Sequence, residues 1–329
     1  MKTEQKPIPS GFNERTTAQQ VAEGLDLKGK VALVTGGSAG LGLETTRVLA
    51  DKGATIIVPA RNAEKARKAL AGVPNVEQFA MDLMDPASID AFAAAIVATG
   101  RPVHMLINNA GIMATPLARD ARGYESQFSA NHLGHFQLTM RLLPALLAAK
   151  GARVVSLSSR GHQRASVDFD DPNFERRAYD RWQGYGQAKT ANILFAVEMD
   201  RRGEAHGIRA FSLHPGAIVT DLAVNLTDDE IKAFGFTRDA KPGSAPPGGS
   251  VDEGGGFKSI AQGAATSIWC ATSPQLNGMG GVYCQDVDIA PILPDGAPGN
   301  VGVRPYAIDP ENAKRLWTLS EKLTGVSRM

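Results

Sequence analysis

At 329 residues the chain exceeds the roughly 250–300 at which a single hydrophobic core stops growing, so either one large domain with extensions or two small domains would fit. Its 35 basic and 34 acidic residues leave a net charge of +1, and no basic run is longer than a pair, which argues against nucleic acid or an anionic membrane as a partner. Two cysteines, Cys270 and Cys284, are too few for a disulfide framework, no apolar stretch approaches the roughly 20 residues of a membrane span, and the polar N-terminus has no secretory apolar core; a cytoplasmic protein is expected.

From residue 29 onward, short β-branched runs alternate with segments of helical apolar spacing, the pattern of βαβ units. Strands are predicted over Lys30–Thr35, Thr55–Pro59, Val76–Ala80, Met105–Asn108, Arg153–Leu157, Arg209–His214 and Gly281–Gln285. Helices are predicted over Leu43–Lys52, Glu64–Leu70, Pro86–Ala98, Tyr124–Lys150, Gly184–Arg202 and Ala261–Ala271, with a terminal helix over Asn312–Leu323. The expected fold class is α/β: a single doubly wound Rossmann domain with a seven-stranded parallel sheet and helices on both faces. The expected organisation is an N-terminal extension 1–28, an oxidoreductase domain 29–299 with a substrate loop 221–260, and a C-terminal helical extension 300–329. Within that loop, 239–256 (DAKPGSAPPGGSVDEGGG) is rich in Gly and Pro and reads as a mobile lid at the carboxyl ends of the strands.

The first strand runs directly into Gly36-Gly37-Ser38-Ala39-Gly40-Leu41-Gly42 and then a helix. Glycines at such a junction let the backbone approach a pyrophosphate, whose charge is met by the helix N-terminus. The G-x-x-x-G-x-G spacing departs from G-x-G-x-x-G, but its place after the first strand makes it a dinucleotide site. After the second strand an acid would bind a ribose 2′-hydroxyl, whereas Arg accommodates a 2′-phosphate. The sequence there is Ala60-Arg61, which favours NADP (as NADPH) over NAD. Asp82 and Leu83, after the third strand, would flank the adenine.

Tyr185 and Lys189 lie four apart in YGQAK, so on a helix the phenol and the ammonium share a face. A cation beside a phenol favours phenolate; lowering a phenol from near 10 to neutrality takes roughly 3 units, about 4 kcal/mol. His132 and His135 are three apart, but no carboxylate or cysteine cluster accompanies them, so helix packing rather than a metal is expected.

With TGGSAGLG at 35–42, NNAG at 108–111, NHLGHF at 131–136, SLSSRGH at 156–162, YGQAK at 185–189 and HPGAIVT at 214–220, the chain resembles the short-chain dehydrogenase/reductase family over about residues 18–290. NHLGHF and AKTANILF most resemble its retinol-dehydrogenase and WW-domain-oxidoreductase branch. The resemblance implies Tyr185 as acid/base, Ser159 (the second of the Ser158-Ser159 pair) as the group that orients the substrate oxygen, and Lys189 as the residue that depresses Tyr185 and holds the nicotinamide ribose. It further implies Asn131 as anchor of a proton relay, Asn109, Ala110 and Gly111 beside the adenosine ribose, and Pro215, Gly216, Ile218 and Thr220 against the nicotinamide. The implied partner is a small-molecule carbonyl or alcohol; a homodimer through the helices beginning near Tyr124 and Gly184, or a monomer, would fit. The competing reading is a catalytically silent NADP-binding redox sensor of the same fold.

Overall fold

The β-branched runs pair side by side, because each carries apolar residues on both faces and can be buried only between two layers of helices. In the computed structural model, which describes residues 3–235, 237, 238, 241, 243 and 256–327, the strands are β1 (Val31–Val34), β2 (Thr55–Ala60), β3 (Val76–Ala80), β4 (Met105–Asn108), β5 (Arg153–Leu157), β6 (Arg209–His214) and β7 (Val282–Gln285). They form a parallel sheet in the order β3-β2-β1-β4-β5-β6-β7. Every residue of β1, β4 and β7 is buried. The connection reverses direction between β1 and β4, which opens a crevice at the carboxyl ends of the strands.

The sheet has eight strands rather than the expected seven. After β7 the chain makes a two-residue turn at Asp286 and Val287, with φ of 54° and 64°, and returns as the antiparallel strand β8 (Asp288–Ile289). Positive φ at both central residues matches the twist a tight hairpin needs, but Val there hides the turn from sequence, since Asn or Gly is the usual signal. Gln5 covers the rest of this edge: its side chain accepts from Tyr283 N at 2.9 Å and donates to Tyr283 O at 2.8 Å and Ala290 O at 2.6 Å. An exposed strand edge is thereby blocked.

One face of the sheet packs against the helices Ala18–Val21, Gly40–Asp51 and Ile260–Thr272, through Ala18, Val48, Leu49, Ile268 and Trp269. The other packs against the helices Pro86–Ala98 and Arg181–Gly203 and the segment between residues 126 and 148. That segment is not the single helix expected over Tyr124–Lys150. Glu125 caps a short helical start, Ser126–Phe128, and a π-helical turn follows at Ser129–Leu133 before the α-helix Gly134–Arg141. Pro144, without an amide proton, starts a separate helix, Leu143–Ala148. The terminal helix Pro310–Thr324 lies across the outside of this layer, with Trp317 buried between Phe136 and Phe195. Among the described residues no helix is long and apolar enough to cross a membrane. The expected lid 239–256 falls outside the described residues except for Lys241, Gly243 and Gly256.

Candidate active site

The glycine turn is built for a close backbone approach. Gly36 and Gly40 have φ of 64° and 48°, and a Cβ at Gly42 would stand 2.2 Å from Gly36 O. Ala39 is the N-cap of the 12-residue helix Gly40–Asp51 and offers no side-chain hydrogen bond, nor is there an acidic residue in the first turn. Its amide groups are therefore left to an anion, and the cradle fits the pyrophosphate of a dinucleotide. Ser38, Ala39 and Leu41 lie in the same turn. Thr35 at its root holds the neighbouring strand end in place: its hydroxyl accepts from Asn109 N at 2.9 Å and Ala110 N at 3.0 Å, while Asn109 Nδ2 donates to Thr35 O.

Arg61 is exposed immediately beyond β2, and among the described residues no ion-pair partner holds its guanidinium. Asp82 folds its carboxylate onto Met84 N at 2.9 Å, and Leu83 O lies where a Cβ on Gly134 would be 2.3 Å away. From the other side, a Cβ on Gly40 would lie 3.7 Å from Thr220 Cγ2, and one on Gly263 would lie 2.8 Å from Ile218 Cδ1. Pro215–Thr220 thus arches over the glycine turn. The Lys258 stem packs against Gly216, whose φ of 105° lets it take the bend.

Tyr185 and Lys189 sit on the helix Arg181–Gly203, which starts at Asp180, whose carboxylate caps Trp182 N and Gln183 N. Both are buried. Ser159, just beyond β5, accepts from Gly161 N at 3.0 Å, and its hydroxyl lies near enough to the Tyr185 phenol to favour its ionised form. Gly161 is required here, since a Cβ would stand 2.7 Å from the Tyr185 ring. Ser158 faces the other way and donates to Lys189 O at 2.7 Å. Lys189 Nζ donates to Leu157 O at 3.0 Å and lies 5.7 Å from the Tyr185 ring centroid.

Burial dominates the electrostatics of this pair. It pushes the Tyr185 phenol up to about 12, with the Ser159 hydrogen bond pulling the other way, and pushes Lys189 down to about 8. The chain by itself therefore holds Tyr185 firmly protonated, the opposite direction from the depression expected of a neighbouring ammonium.

Asn131 lies in the π-turn, where an extra residue re-aims the helix. Its Oδ1 accepts from Ile112 N at 2.8 Å and its Nδ2 donates to Ile112 O at 3.0 Å, and Gly111 lies between it and Lys189. The two histidines of NHLGHF are occupied structurally: His135 spans Asn131 O and Thr35 Oγ1, and His132 meets Ser320 Oγ at 2.7 Å. Both are fully buried and held neutral, at about 4 and about 3.

Three features escaped the sequence reading. His162 donates from Nδ1 to Ser159 O at 2.7 Å and accepts at Nε2 from Arg304 N, tying the serine turn to the C-terminal segment; its place three residues after Ser159 was the available signal. Trp182 stands edge-on to Tyr185 at 6.3 Å. Glu230, on the short helix Asp228–Ala233, accepts from Arg181 at 2.5 Å and from Trp182 Nε1 at 2.9 Å; only the fold brings these together.

A dinucleotide cradle at the switch point, with a tyrosine, a lysine and a serine gathered at the adjacent strand ends, defines a nicotinamide-dependent oxidoreductase. The short chain dehydrogenase family model matches residues 30–231. A "Probable oxidoreductase" of Streptomyces lividans is 43% identical over 299 residues, 89% of this chain and 97% of that protein. "Retinol dehydrogenase 12" of Mus musculus is 33% identical over 308 residues, 92% of this chain and 88% of the relative. A crystal structure of an uncharacterized protein from Mycobacterium Paratuberculosis superposes with a TM-score of 0.71 at 32% identity, covering 93% of this chain and 97% of that one. The chain belongs to the short-chain dehydrogenase/reductase family and is an oxidoreductase of the class that interconverts carbonyls and alcohols with NAD(P).

Proposed function

We propose that the protein is an NADP-dependent oxidoreductase that interconverts a carbonyl and an alcohol, with Tyr185 as acid/base. The observation that carries this reading is the contact of Ser159 with the buried Tyr185 phenol, beside a helix N-terminus left open for an anion. A bound NADPH would supply the hydride, with the glycine turn and the open helix N-terminus holding its pyrophosphate. Tyr185 donates its proton to the substrate oxygen during reduction and recovers it during oxidation; Ser159 donates a hydrogen bond to the same oxygen and fixes its direction. Lys189 provides the charge that favours phenolate once the pocket is closed to water, and Asn131 holds the 110–112 loop against it. Arg61, free of any acid at the end of β2, would meet the 2′-phosphate of NADP.

Tyr185→Phe tests the assignment, because it keeps the ring and removes the transferable proton. Turnover of NADPH with a ketone and aldehyde panel is expected to fall by a factor of about 100 or more, with cofactor affinity retained. Turnover within tenfold of the parent would sink it. The redox-sensor reading requires NADPH binding with no turnover of any carbonyl in that panel.

A further inference from the structure

The turn that carries Ser159 is fastened through a residue that takes no part in the proton or hydride transfer. Ser159 caps the short 3₁₀ helix Arg160–Arg164, and its carbonyl oxygen takes two hydrogen bonds from one residue: His162 N donates at 3.0 Å and His162 Nδ1 at 2.7 Å. The imidazole is fully buried. Its second nitrogen fixes which one carries the proton. Arg304 N, a backbone amide that can only donate, meets Nε2 at 3.3 Å, so Nε2 accepts and the proton sits on Nδ1, facing Ser159 O. Burial holds the ring neutral, down at about 4, so this tautomer is kept at neutral pH.

The His162 backbone is held as firmly as its ring. Its carbonyl accepts from Thr190 Oγ1 at 3.1 Å, one residue beyond Lys189, and from Tyr306 Oη at 2.7 Å. The turn also lies flush on the helix Arg181–Gly203: a Cβ on Gly161 would stand 2.7 Å from the Tyr185 ring, and one on Gly186 would stand 2.9 Å from Gly161 O. Ser159 Oγ already accepts from Gly161 N at 3.0 Å, which leaves the hydroxyl proton for a substrate oxygen. Loss of the Nδ1 bond would free the Ser159–Arg160 peptide to rock, and with it the Gly161 amide against which Oγ is set.

We propose that His162 is a positioning residue of the reaction: its Nδ1–H holds Ser159 O and thereby aims the Ser159 hydroxyl at the substrate oxygen, while its Nε2 rests on the C-terminal segment at Arg304. The role depends on the reaction proposed above, in which Ser159 directs that oxygen. Fully buried, His162 offers no surface to substrate or cofactor and acts through Ser159 alone. A histidine that only filled the core would serve equally well through either nitrogen.

Two isosteres separate the nitrogens. In Asn the amide nitrogen stands on Cγ, as Nδ1 does, so His162→Asn keeps a donor for Ser159 O and gives up the acceptor for Arg304 N. In Gln the amide stands one atom further out, so His162→Gln keeps the acceptor and gives up the donor. With NADPH and a carbonyl from the ketone and aldehyde panel, kcat is expected to fall about 10- to 100-fold in His162→Gln and to stay within about threefold of the parent in His162→Asn, with KM and NADPH affinity unchanged in both. In a Ser159→Ala background His162→Gln should cost no further activity, because its effect runs through that hydroxyl. Equal kcat losses in the two variants, a loss in His162→Asn alone, a raised KM with kcat kept, or a loss that adds to that of Ser159→Ala would overturn the role. Long-range ¹H–¹⁵N spectra of the parent chain test it without any variant: a proton on Nδ1 is expected, and one on Nε2 would overturn it. A parent that turns over no carbonyl removes the reaction and this role together, whereas an active parent with equal variants removes the role alone.

Discussion

Ser158 and Ser159 are adjacent yet serve different partners, because the backbone at the end of β5 turns one hydroxyl toward Lys189 O and the other toward the Tyr185 phenol. Ser159→Ala should therefore lower kcat by a factor of about 100 or more, while Ser158→Ala should lower stability and affect kcat far less; equal kcat losses would contradict that division. Lys189 poses a different conflict. Its folded value, about 8, lies below the ordinary 10.5, so the unfolded chain binds more protons between those values and stability rises with pH across that window. Below pH 8 the buried ammonium costs about 3 kcal/mol, by 1.4 kcal/mol per unit. Lys189→Met should raise the melting temperature at pH 7 while abolishing turnover, and the gain should fade by pH 10.5; Asn192 Nδ2 still donates to Leu157 O at 2.9 Å, so that carbonyl is not orphaned. A lower melting temperature at pH 7 would show the ammonium to be compensated. At the cofactor end, Arg61→Ala should weaken NADPH much more than NADH, and equal losses would remove its 2′-phosphate role. Sequence spacing placed Tyr185 and Lys189 on one face, but could not reveal the direction of the Tyr185 shift, which burial decides.

Strands were legible as elements because β-branched runs bounded by Gly, Pro or Asn admit few alternatives, and β3 through β6 start and stop within a residue of expectation. Two elements were not. The π-turn at Ser129–Leu133 adds one residue without disturbing the apolar period enough to be seen, and yet it is what aims Asn131 at Ile112. β8 follows a turn with a left-handed Val287, buried against the sheet and fixed by a bond from its N to Thr266 Oγ1 at 3.1 Å. A third element, the helix Asp228–Ala233, owes its place to one residue. Glu230 closes a capping box with Thr227 and also receives Arg181 and Trp182, so it latches the substrate side of the site to the helix that carries Tyr185. Burial pushes its carboxyl up, but the hydrogen bonds from Thr227 and Trp182 and the charge of Arg181 together outweigh it and hold the group below the usual range. Its contribution is therefore complete above about pH 4.5 and is lost as pH falls through the lower folded value. Glu230→Ala should cost about 1 kcal/mol as a lost cap and raise KM more than it lowers kcat, by letting Trp182 move; an unchanged KM with the stability loss alone would reduce the latch to a helix cap.

At the level of the whole molecule, the helices Gly134–Arg141 and Arg181–Gly203 present more apolar surface than the sheet covers, which from sequence fits either a homodimer or a monomer with its own cover. The chain supplies a cover. Trp317 of Pro310–Thr324 stacks on Phe195 at 6.1 Å and 5°, meets Phe136 edge-on at 5.0 Å, and lies under Arg202 at 4.6 Å. Beside it Leu316 and Ala313 bury against Leu194 and Val197, and His132 and Tyr124 bond to Ser320 Oγ and Leu323 O. A partner subunit would have to displace this helix before reaching the same surface. Replacing Trp317 with Ala should cost about 3–5 kcal/mol, the range for emptying a large aromatic site. The mass by light scattering should remain at the 34.8 kDa of one chain across a concentration series, whereas a chain ending before Pro310 should associate through the uncovered Phe136 and Phe195. A full-length dimer whose association is weakened by charges placed on that face would mean that the helix moves aside, and the surface it occupies would then belong to the partner.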